Sequence, residues 1–433
     1  PDATYPPHVE PSKHDPATAY VVFDDHRRGN WTTYVYRTED YGESWTPLST
    51  EGLRGFVHAI EEDPLEPNLL FLGTEFGMYV SLDRGESWMP WRNGLPAAPV
   101  RAMMVHPRDH DLAIGTHGRA AWILDDIRPL RALAADPSIA NRTLYLFDPP
   151  PAYQVEVAER IGYRSTGHAM FFGENRPFGA LLTLWAGAGQ EGERARVTVL
   201  DAQGEEVSSF TRTLRIGMKR FTWELERTPP GDSGGRFGGG TPILPGEYTV
   251  RVEAGEEETE APLHVRPDPR VQIPLQRRAE KLEALQEVGE WVTRSREAQE
   301  RLQAVLEALD GVLARLGEAD DAQALIGGGE ALRDTLEAAM ETLFTGPQCQ
   351  GICGGDPVAS QIRSPLRLLG SSLDAPSPND RLAMVQGREA LEEVVATVNR
   401  LLAEEVAPFA GRLEEAGYSP FPSLEPLGRG GGG

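Results

Sequence analysis

A repeat of 43 residues near the start of the chain restricts the possible folds more than any other feature. The segment RTEDYGESWTPL, which begins at residue 37, aligns with VSLDRGESWMPW, which begins at residue 80. The matched positions are Asp40 with Asp83, Gly42 with Gly85, and Trp45 with Trp88. A period of this size in a strand-rich sequence is typical of propeller blades or of solenoid repeats.

A third, partial unit follows the first two. The segment NLLFLGTEFGMYVSLD aligns with HDLAIGTHGRAAWILDD. The matched positions are Gly73-Thr74 with Gly115-Thr116, and Asp83 with Asp125. The third unit lacks the glycine and tryptophan that follow the aspartate in the other two. Three units therefore fit before residue 130.

The repeated pattern S/T-x-D-x-G-x-x-W has a local physical role. An aspartate carboxylate can accept hydrogen bonds from the backbone amides of its own turn. Glycine supplies the positive φ that a tight hairpin turn needs, and tryptophan is a large apolar side chain that can fill the space between blades. We therefore expect Asp40 and Asp83 to be structural residues and not catalytic or calcium-binding ones.

The pattern matches the Asp-box, the bacterial neuraminidase repeat, and the run over residues 17–131 resembles the last blades of sortilin-like β-propeller proteins. Bacterial members of that family are often labelled glycosyl hydrolases. The resemblance implies that residues 1–131 are the last three blades of a propeller. Three blades do not close a ring, and an open wedge would expose strand edges and apolar faces. We expect the missing blades upstream of Pro1, in the same parent chain or in a bound N-terminal fragment.

The rest of the sequence predicts two further folded parts, so we expect a multidomain protein. Residues 132–168 read as a linker and extended segment, and residues 169–268 as an immunoglobulin-like or fibronectin III-like β-sandwich of short alternating strands. Residues 269–424 read as an α-helical bundle with a Gly/Pro/Cys loop near 345–357, and residues 425–433 as a flexible glycine-rich tail.

The helical part carries apolar residues at three–four spacing, which predicts stripes that pack against one another. An exposed stripe that docks a partner helix is the alternative. The two stripes are Leu302, Val305, Leu306, Leu309, Val312, Leu313 and Leu316, and Leu391, Val394, Val395, Val398, Leu401, Leu402 and Val406. Pro408 is expected to kink or end the final helix, because proline has no amide hydrogen to donate.

Charge and cysteine content narrow the range of partners and compartments. The 42 basic and 66 acidic residues give a net charge of −24, which disfavours nucleic acid and anionic lipid as partners. The sequence has no apolar run of the ~20 residues that a membrane helix needs. Cys349 and Cys353 are too few ligands for a zinc site; a small disulfide loop is favoured over free thiols. We expect no metal, no cofactor, and a secreted, periplasmic or cell-surface bacterial protein.

The turns TEFG and THGR join the second strand of a blade to the third, whereas the Asp-box turns join the third to the fourth. Glu75, Phe76, His117 and Arg119 should therefore share one rim, on the face where propellers commonly bind ligands. The alternative needs no ligand. The His117 ring would hydrogen-bond a neighbouring loop and fix the turn, and Arg119 would pair with Asp125 or Asp126.

An enzymatic function of the glycosidase type would need two carboxylates roughly 5–10 Å apart across a cleft. The acidic candidates in the blades are Glu61, Glu62, Asp63, Glu75, Asp109, Asp111, Asp125 and Asp126. The sequence shows no arginine triad with a Tyr–Glu pair of the sialidase type. We therefore favour an extracytoplasmic protein–protein interaction or assembly role, with peptide or protein ligands as the resemblance implies. A carbohydrate-active enzyme or glycan-binding protein is the alternative.

Overall fold

In a computed structural model of the protein, the described residues are 4–155, 176–227, 240–316, 323–346, 356–418 and 427. The chain divides into two compact units. The first comprises residues 1–230 and 245–268, and the second comprises residues 231–244 and 269–433. The predicted blades and most strands of the predicted sandwich belong to the first unit, whereas residues 241–244 belong to the second.

Three antiparallel sheets, blades 1 to 3, follow one another at the start of the first unit. Blade 1 consists of β1 (Tyr5–Pro11), β2 (Ala19–Asp24), β3 (Tyr34–Thr38) and β4 (Thr46–Pro47). Blade 2 consists of β5 (Val57–Glu62), β6 (Leu70–Thr74), β7 (Gly77–Ser81) and β8 (Met89–Trp91). Blade 3 consists of β9 (Val100–Val105), β10 (Leu112–Thr116) and β11 (Ala121–Leu124). In each blade the strands are ordered as in the sequence, which is the topology of a propeller blade.

Successive side chains of a strand point to opposite sides of its sheet, so each blade presents two faces. Tyr20, Val22 and Val35 of blade 1 pack against Leu72 and Tyr79 of blade 2 in one buried cluster. The other side of blade 2 packs against blade 3 in a second cluster, which contains Phe71, Met78, Val80, Val100, Leu112 and Ile114. The blades are therefore stacked in series, with two apolar interfaces.

Strand register corrects one predicted match between the repeats. Thr74 pairs with Gly77 in blade 2, whereas the Thr116 amide bonds to the carbonyl of Ala120 in blade 3. The turn of blade 3 is thus one residue longer, and Asp126 occupies the place of Asp83. The predicted match with Asp125 is wrong by one residue, because the repeat pattern does not report the length of this turn.

The chain continues from blade 3 into α1 (Arg128–Ala135), a 3₁₀ turn (Pro137–Asn141) and two larger sheets of three and five strands. The further strands are β12 (Leu144–Leu146), β13 (Ala152–Gln154), β14 (Ala180–Ala186), β15 (Arg194–Leu200), β16 (Glu206–Thr213), β17 (Gly217–Trp223), β18 (Glu226–Arg227), β19 (Thr241–Pro242), β20 (Gly246–Ala254) and β21 (Glu257–Pro267). The orders are β12-β14-β17 and β13-β21-β20-β15-β16.

The predicted linker over residues 132–168 therefore needs correction in its first half. α1 occupies its start, β12 pairs with β14, and β13 runs parallel to β21. Leu144 and Leu146 are buried, so that burial of apolar side chains holds this short strand in its sheet. The observed sheets begin at residue 144 and not at residue 169.

The second unit is helical, with α2 (Leu275–Leu316), α3 (Gln323–Met340), α4 (Val358–Leu369), α5 (Pro378–Leu401) and α6 (Ala407–Glu415). Both predicted apolar stripes contribute to its buried core, so the stripes pack within the unit. Ser377 and Asp380 form a capping box at the start of α5. α5 gives way to a π-helical turn (Leu402–Val406), and Pro408 lies in the first turn of α6, where its missing amide hydrogen is tolerated.

Two sequence predictions lie largely outside the described residues. These are the Cys349–Cys353 disulfide loop, with most of the Gly/Pro/Cys loop near 345–357, and the glycine-rich tail over 425–433, of which only residue 427 is described. Within the described part of the chain, every helix is too short or too polar to cross a lipid bilayer.

Candidate binding rim and Asp-box turns of the blades

The two turns that the repeat pattern predicts to be Asp-boxes use their aspartates internally. Asp40 accepts hydrogen bonds from the Ser44 amide (2.9 Å), the Ser44 hydroxyl (2.6 Å) and the Thr38 hydroxyl (2.8 Å). These bonds, with that of the Ser44 hydroxyl foremost, lower the pKa of Asp40 to about 2. Asp83 accepts equivalent bonds from Ser87 and Ser81. The geometry assigns both carboxylates to turn formation.

The two Asp-box tryptophans, in contrast, have different surroundings. Trp88 is 7% exposed, and its Nε1 donates to the backbone carbonyl of Leu48 in blade 1 at 2.9 Å. Gly85 lies beside the same leucine, since a Cβ at Gly85 would be 2.8 Å from Leu48 Cδ1. Trp45, at the equivalent position of blade 1, is 43% exposed and has no hydrogen bond in the described part of the chain. Leu48, Gly85 and Trp88 therefore fasten blade 2 to blade 1.

The predicted rim residues lie at the opposite end of the blades from the Asp-box turns. The Glu75 amide donates to the carbonyl of Phe56, just before β5, and the His117 amide donates to the carbonyl of Pro99, just before β9. Glu75 and Phe76 occupy the β6–β7 turn, and His117 and Arg119 occupy the β10–β11 turn. Among the described residues, no hydrogen bond or ion pair joins the first pair of side chains to the second.

The contacts proposed for the ligand-free alternative are made by other groups. The backbone amide of His117, and not its ring, fixes the turn. Asp126 pairs with Arg128, whose Nε lies 2.6 Å from Oδ1. Arg119 instead accepts a hydrogen bond at its backbone carbonyl from Trp122 Nε1, at 2.7 Å.

A buried histidine that sequence reasoning missed lies behind Glu75. His58 Nε2 is 3.0 Å from Glu75 Oε2, and His58 Nδ1 is 3.2 Å from an Nη of Arg101 in blade 3. A guanidinium can only donate, so Nδ1 accepts and Nε2–H donates to Glu75. Burial is the main cause that lowers the pKa of His58, in agreement with a neutral ring. One signal for His58 was available in the sequence, because a histidine stands between apolar residues in the strand Val57–Glu62, which is buried throughout.

Aromatic rings complete this group of side chains. Phe56 stacks on His26 with centroids 4.4 Å apart, and it also meets His58 (4.9 Å) and Trp31 (5.6 Å). The Phe76 ring lies over Gly55, where a Cβ would be 2.8 Å from the ring. Trp31 and Phe76 are both more than half exposed. We call this set the rim cluster; it comprises His26, Trp31, Phe56, His58, Glu75, Phe76 and Arg101.

Three of the acidic candidates form a buried network within the first unit. Glu62 accepts hydrogen bonds from the Ser12 hydroxyl (2.8 Å), the Lys13 amide (2.7 Å) and the Tyr20 hydroxyl (3.0 Å). Lys13 Nζ lies 2.8 Å from Glu61, and burial raises the pKa of Glu61.

Asp63, the third of these carboxylates, is fully buried and pairs with Arg131 Nε at 2.8 Å. Fixed donors thus occupy all three groups. Glu61 and Glu62 link blade 2 to the β1–β2 segment of blade 1, and Asp63 links blade 2 to α1. Among the described residues, no three or more His, Cys, Asp or Glu side chains are grouped so as to hold a metal ion.

Comparison with known proteins gives only remote structural likenesses. No protein-family model and no curated protein matches the sequence. The GH74 enzyme of Niastella koreensis is 16% identical with a TM-score of 0.25, over 28% of this chain and 21% of its own. An ancestral GH74 enzyme is 12% identical with a TM-score of 0.22, over 60% and 35%. YCF48, solved bound to a D1 peptide, is 15% identical with a TM-score of 0.16, over 25% and 47%. The chain covers less than half the length of each.

Proposed function

We propose that the blades are a propeller segment that works as a protein-docking and assembly module outside the cytoplasm, and that the outer face of blade 1 binds a preceding blade of the same repeat. The observation that carries this proposal is that two apolar positions of the repeat are buried in blade 2 and exposed in blade 1. The resemblance of the Asp-box repeat to sortilin-like propellers agrees with it.

The two rows are matched through strand register. In blade 1 the cross-strand row is Val9, Val21, Tyr36 and Pro47, and in blade 2 it is Ile60, Leu72, Tyr79 and Pro90. Blade 1 covers Ile60, Leu72 and Tyr79 of the second row, and Ile60 is fully buried, whereas Pro90 is exposed. Val9, at the position equivalent to Ile60, is 55% exposed. Val21 of the blade 1 row is itself buried, so the open part of this face lies at Val9 and at Trp45.

The existing interface also specifies the chemistry of the partner. In this interface Leu48 supplies both contacts. Its backbone carbonyl accepts a hydrogen bond from Trp88, and its aliphatic side chain packs beside Gly85. A blade that docks on Trp45 and Gly42 would present a residue of the Leu48 type after its last strand. Burial of Val9 and Trp45 would contribute about 1.5–3 kcal/mol for each large side chain.

The far side of blade 3 carries a second open face. Its cross-strand row is Met104, Ala113 and Ile123, which corresponds in register to Glu61, Phe71 and Val80 of blade 2. Phe71 and Val80 are buried by blade 3, whereas Met104 and Ile123 are more than half exposed. Apolar faces at both ends of a stack support an assembly role, because exposed apolar patches mark interaction surfaces.

A tandem extension tests the proposal. A copy of residues 4–56 is fused directly ahead of Tyr5 in the full chain, so that its Leu48 can reach the original Trp45. Docking predicts a blue shift of the Trp45 emission, obtained by subtracting the spectrum of a Trp45→Phe version, and a higher melting temperature of the first unit. The matched control carries Leu48→Asp in the added copy and should show neither change. If the Trp45 emission in the fusion without Leu48→Asp stays that of a solvent-exposed tryptophan, the docking of a blade is refuted.

We further propose that the two sheets over residues 144–267 pack as an Ig-like sandwich. In the five-stranded sheet buried apolar residues occupy alternate positions of β15, β20 and β21, as one half of a sandwich requires. The buried set is Ala195, Val197, Val199, Val250, Val252, Ala254, Ala261, Leu263 and Val265. A hydrolytic function has less support, because fixed donors occupy Glu61, Glu62 and Asp63.

A further inference from the structure

Glu75 presents a carboxylate whose charge is not neutralised by its neighbours. Its Oε2 accepts from His58 Nε2 at 3.0 Å, and its Oε1 has no partner among the described residues. The side chain is 28% exposed, so solvent reaches part of this group. The carboxylate is held in place by a buried ring and still has one unused acceptor.

Arg101 does not supply the missing positive charge. Its guanidinium donates to His58 Nδ1 at 3.2 Å, and no ion pair in the described part of the chain joins it to Glu75. The donation also fixes the neutral tautomer of His58, because Nδ1 must then be an acceptor. The histidine therefore orients Glu75 without cancelling its charge.

Two exposed aromatic residues belong to the same cluster as this carboxylate. Phe76 follows Glu75 directly and covers Gly55. Trp31 joins the same group through Phe56, whose carbonyl accepts from the Glu75 amide at 3.1 Å. The Thr33 hydroxyl, two residues beyond Trp31, bonds to the Gly55 carbonyl at 2.6 Å, which fixes the two segments together.

We propose that the rim cluster binds a cationic side chain of a polypeptide ligand, an arginine guanidinium or a lysine ammonium, with Glu75 as the anion and Trp31 and Phe76 as the aromatic faces. A carboxylate pairs with guanidinium through charge-assisted hydrogen bonds, and aromatic faces attract cations. The net charge of −24 raises the local concentration of cationic ligands. This site is separate from the open blade faces, and its test does not depend on the docking of a further blade.

The experiment compares two short peptides that differ in charge alone. The two peptides are titrated into the full chain labelled with ¹⁵N-tryptophan, and the indole signals are followed by NMR. The peptides are acetyl-Gly-Arg-Gly-amide and its citrulline analogue, which is neutral and of nearly the same shape. The chain has eight tryptophans, and the Trp31 indole signal is assigned with Trp31→Phe. We expect the arginine peptide to shift the Trp31 signal and to bind at least about tenfold more tightly than the citrulline peptide.

Two variants locate the effect. Glu75→Gln keeps an acceptor for the His58 N–H and removes the charge, so it should reduce arginine-peptide binding to the citrulline level. Glu86→Gln, an exposed change at the Asp-box end of blade 2, should bind as the unmodified protein does. Melting temperatures of both variants check that the fold is retained.

The following results would overturn the proposal: equal binding of the two peptides, an unmoved Trp31 signal, or undiminished binding in Glu75→Gln. Cellotetraose serves as a neutral sugar probe in the same titration. If it shifted Trp31 while the arginine peptide did not, the rim cluster would be a glycan site and the cation proposal would be wrong.

Discussion

Replacement of Trp88 by alanine should cost much more stability than the same replacement of Trp45, although both residues occupy one position of the repeat. Trp88 is 7% exposed and bonded to the Leu48 carbonyl, and Trp45 is 43% exposed and unbonded in the described part of the chain. Truncation of a buried aromatic residue to alanine costs about 3–5 kcal/mol, and an orphaned buried carbonyl adds to this loss.

We expect a loss of about 4 kcal/mol for Trp88→Ala. For Trp45→Ala we expect about 1.5–2 kcal/mol, because roughly half of that side chain is already in water. The difference of about 2 kcal/mol corresponds to a factor of about 30 in the opening equilibrium of the blades.

Hydrogen exchange followed by mass spectrometry measures this difference strand by strand, and it does not require the whole chain to unfold in one step. Peptides from β2 and β6 report on the interface of blades 1 and 2, and peptides from α5 serve as an internal control that neither variant should change. Equal acceleration of exchange by the two variants would refute the reasoning, because it would mean that Trp45 is as well packed as Trp88.

Three further outcomes are expected. Gly85→Ala should destabilise the first unit by about 2–3 kcal/mol, because the added Cβ would meet Leu48 at 2.8 Å and the φ of residue 85 is +89°. Gly94→Ala, with φ +74° and open space around the added Cβ, should cost only the backbone strain of about 1 kcal/mol. Thermal unfolding compares the two variants. Burial lowers the pKa of His58, so its contribution to stability is fully present above the ordinary histidine pKa of about 6.5. This contribution is lost as the pH falls from that value toward the lower pKa of the folded state. His58→Gln should remove the corresponding fall in melting temperature from a pH series. The pKa of Asp40 is about 2, so its contribution should be fully present above about pH 4 and lost as the pH falls to about 2; Asp40→Asn should flatten the stability profile in that window.

Periodic features were the ones that the sequence predicted well. Trp45 and Trp88 mark the blades because each Asp-box closes on itself, through bonds between residues no more than four positions apart. The apolar stripes of the helices are similarly local, and Leu391, Val394 and Val398 lie in the core as their spacing predicts. A pattern that is fixed within one turn of chain can be read without knowledge of the rest of the fold.

Features that depend on loop length or on distant contacts could not be read in this way. The one-residue difference between the two rim turns moved the Asp-box position from Asp125 to Asp126. His58 and Arg101 are 43 residues apart and meet only because blades 2 and 3 stack. β12 has three residues, and its pairing with β14 is decided by burial and not by strand propensity.

The outer face of blade 1 is proposed to receive a further blade, and the packing of Trp45 reports on this directly. The free energy lost on Trp45→Ala is determined by hydrogen exchange of β2, once in the chain itself and once in the chain extended by a copy of residues 4–56. A docked blade should raise the loss from about 1.5–2 kcal/mol to about 4 kcal/mol, the value expected for Trp88→Ala. An unchanged loss in the extended chain would contradict the docking of a blade.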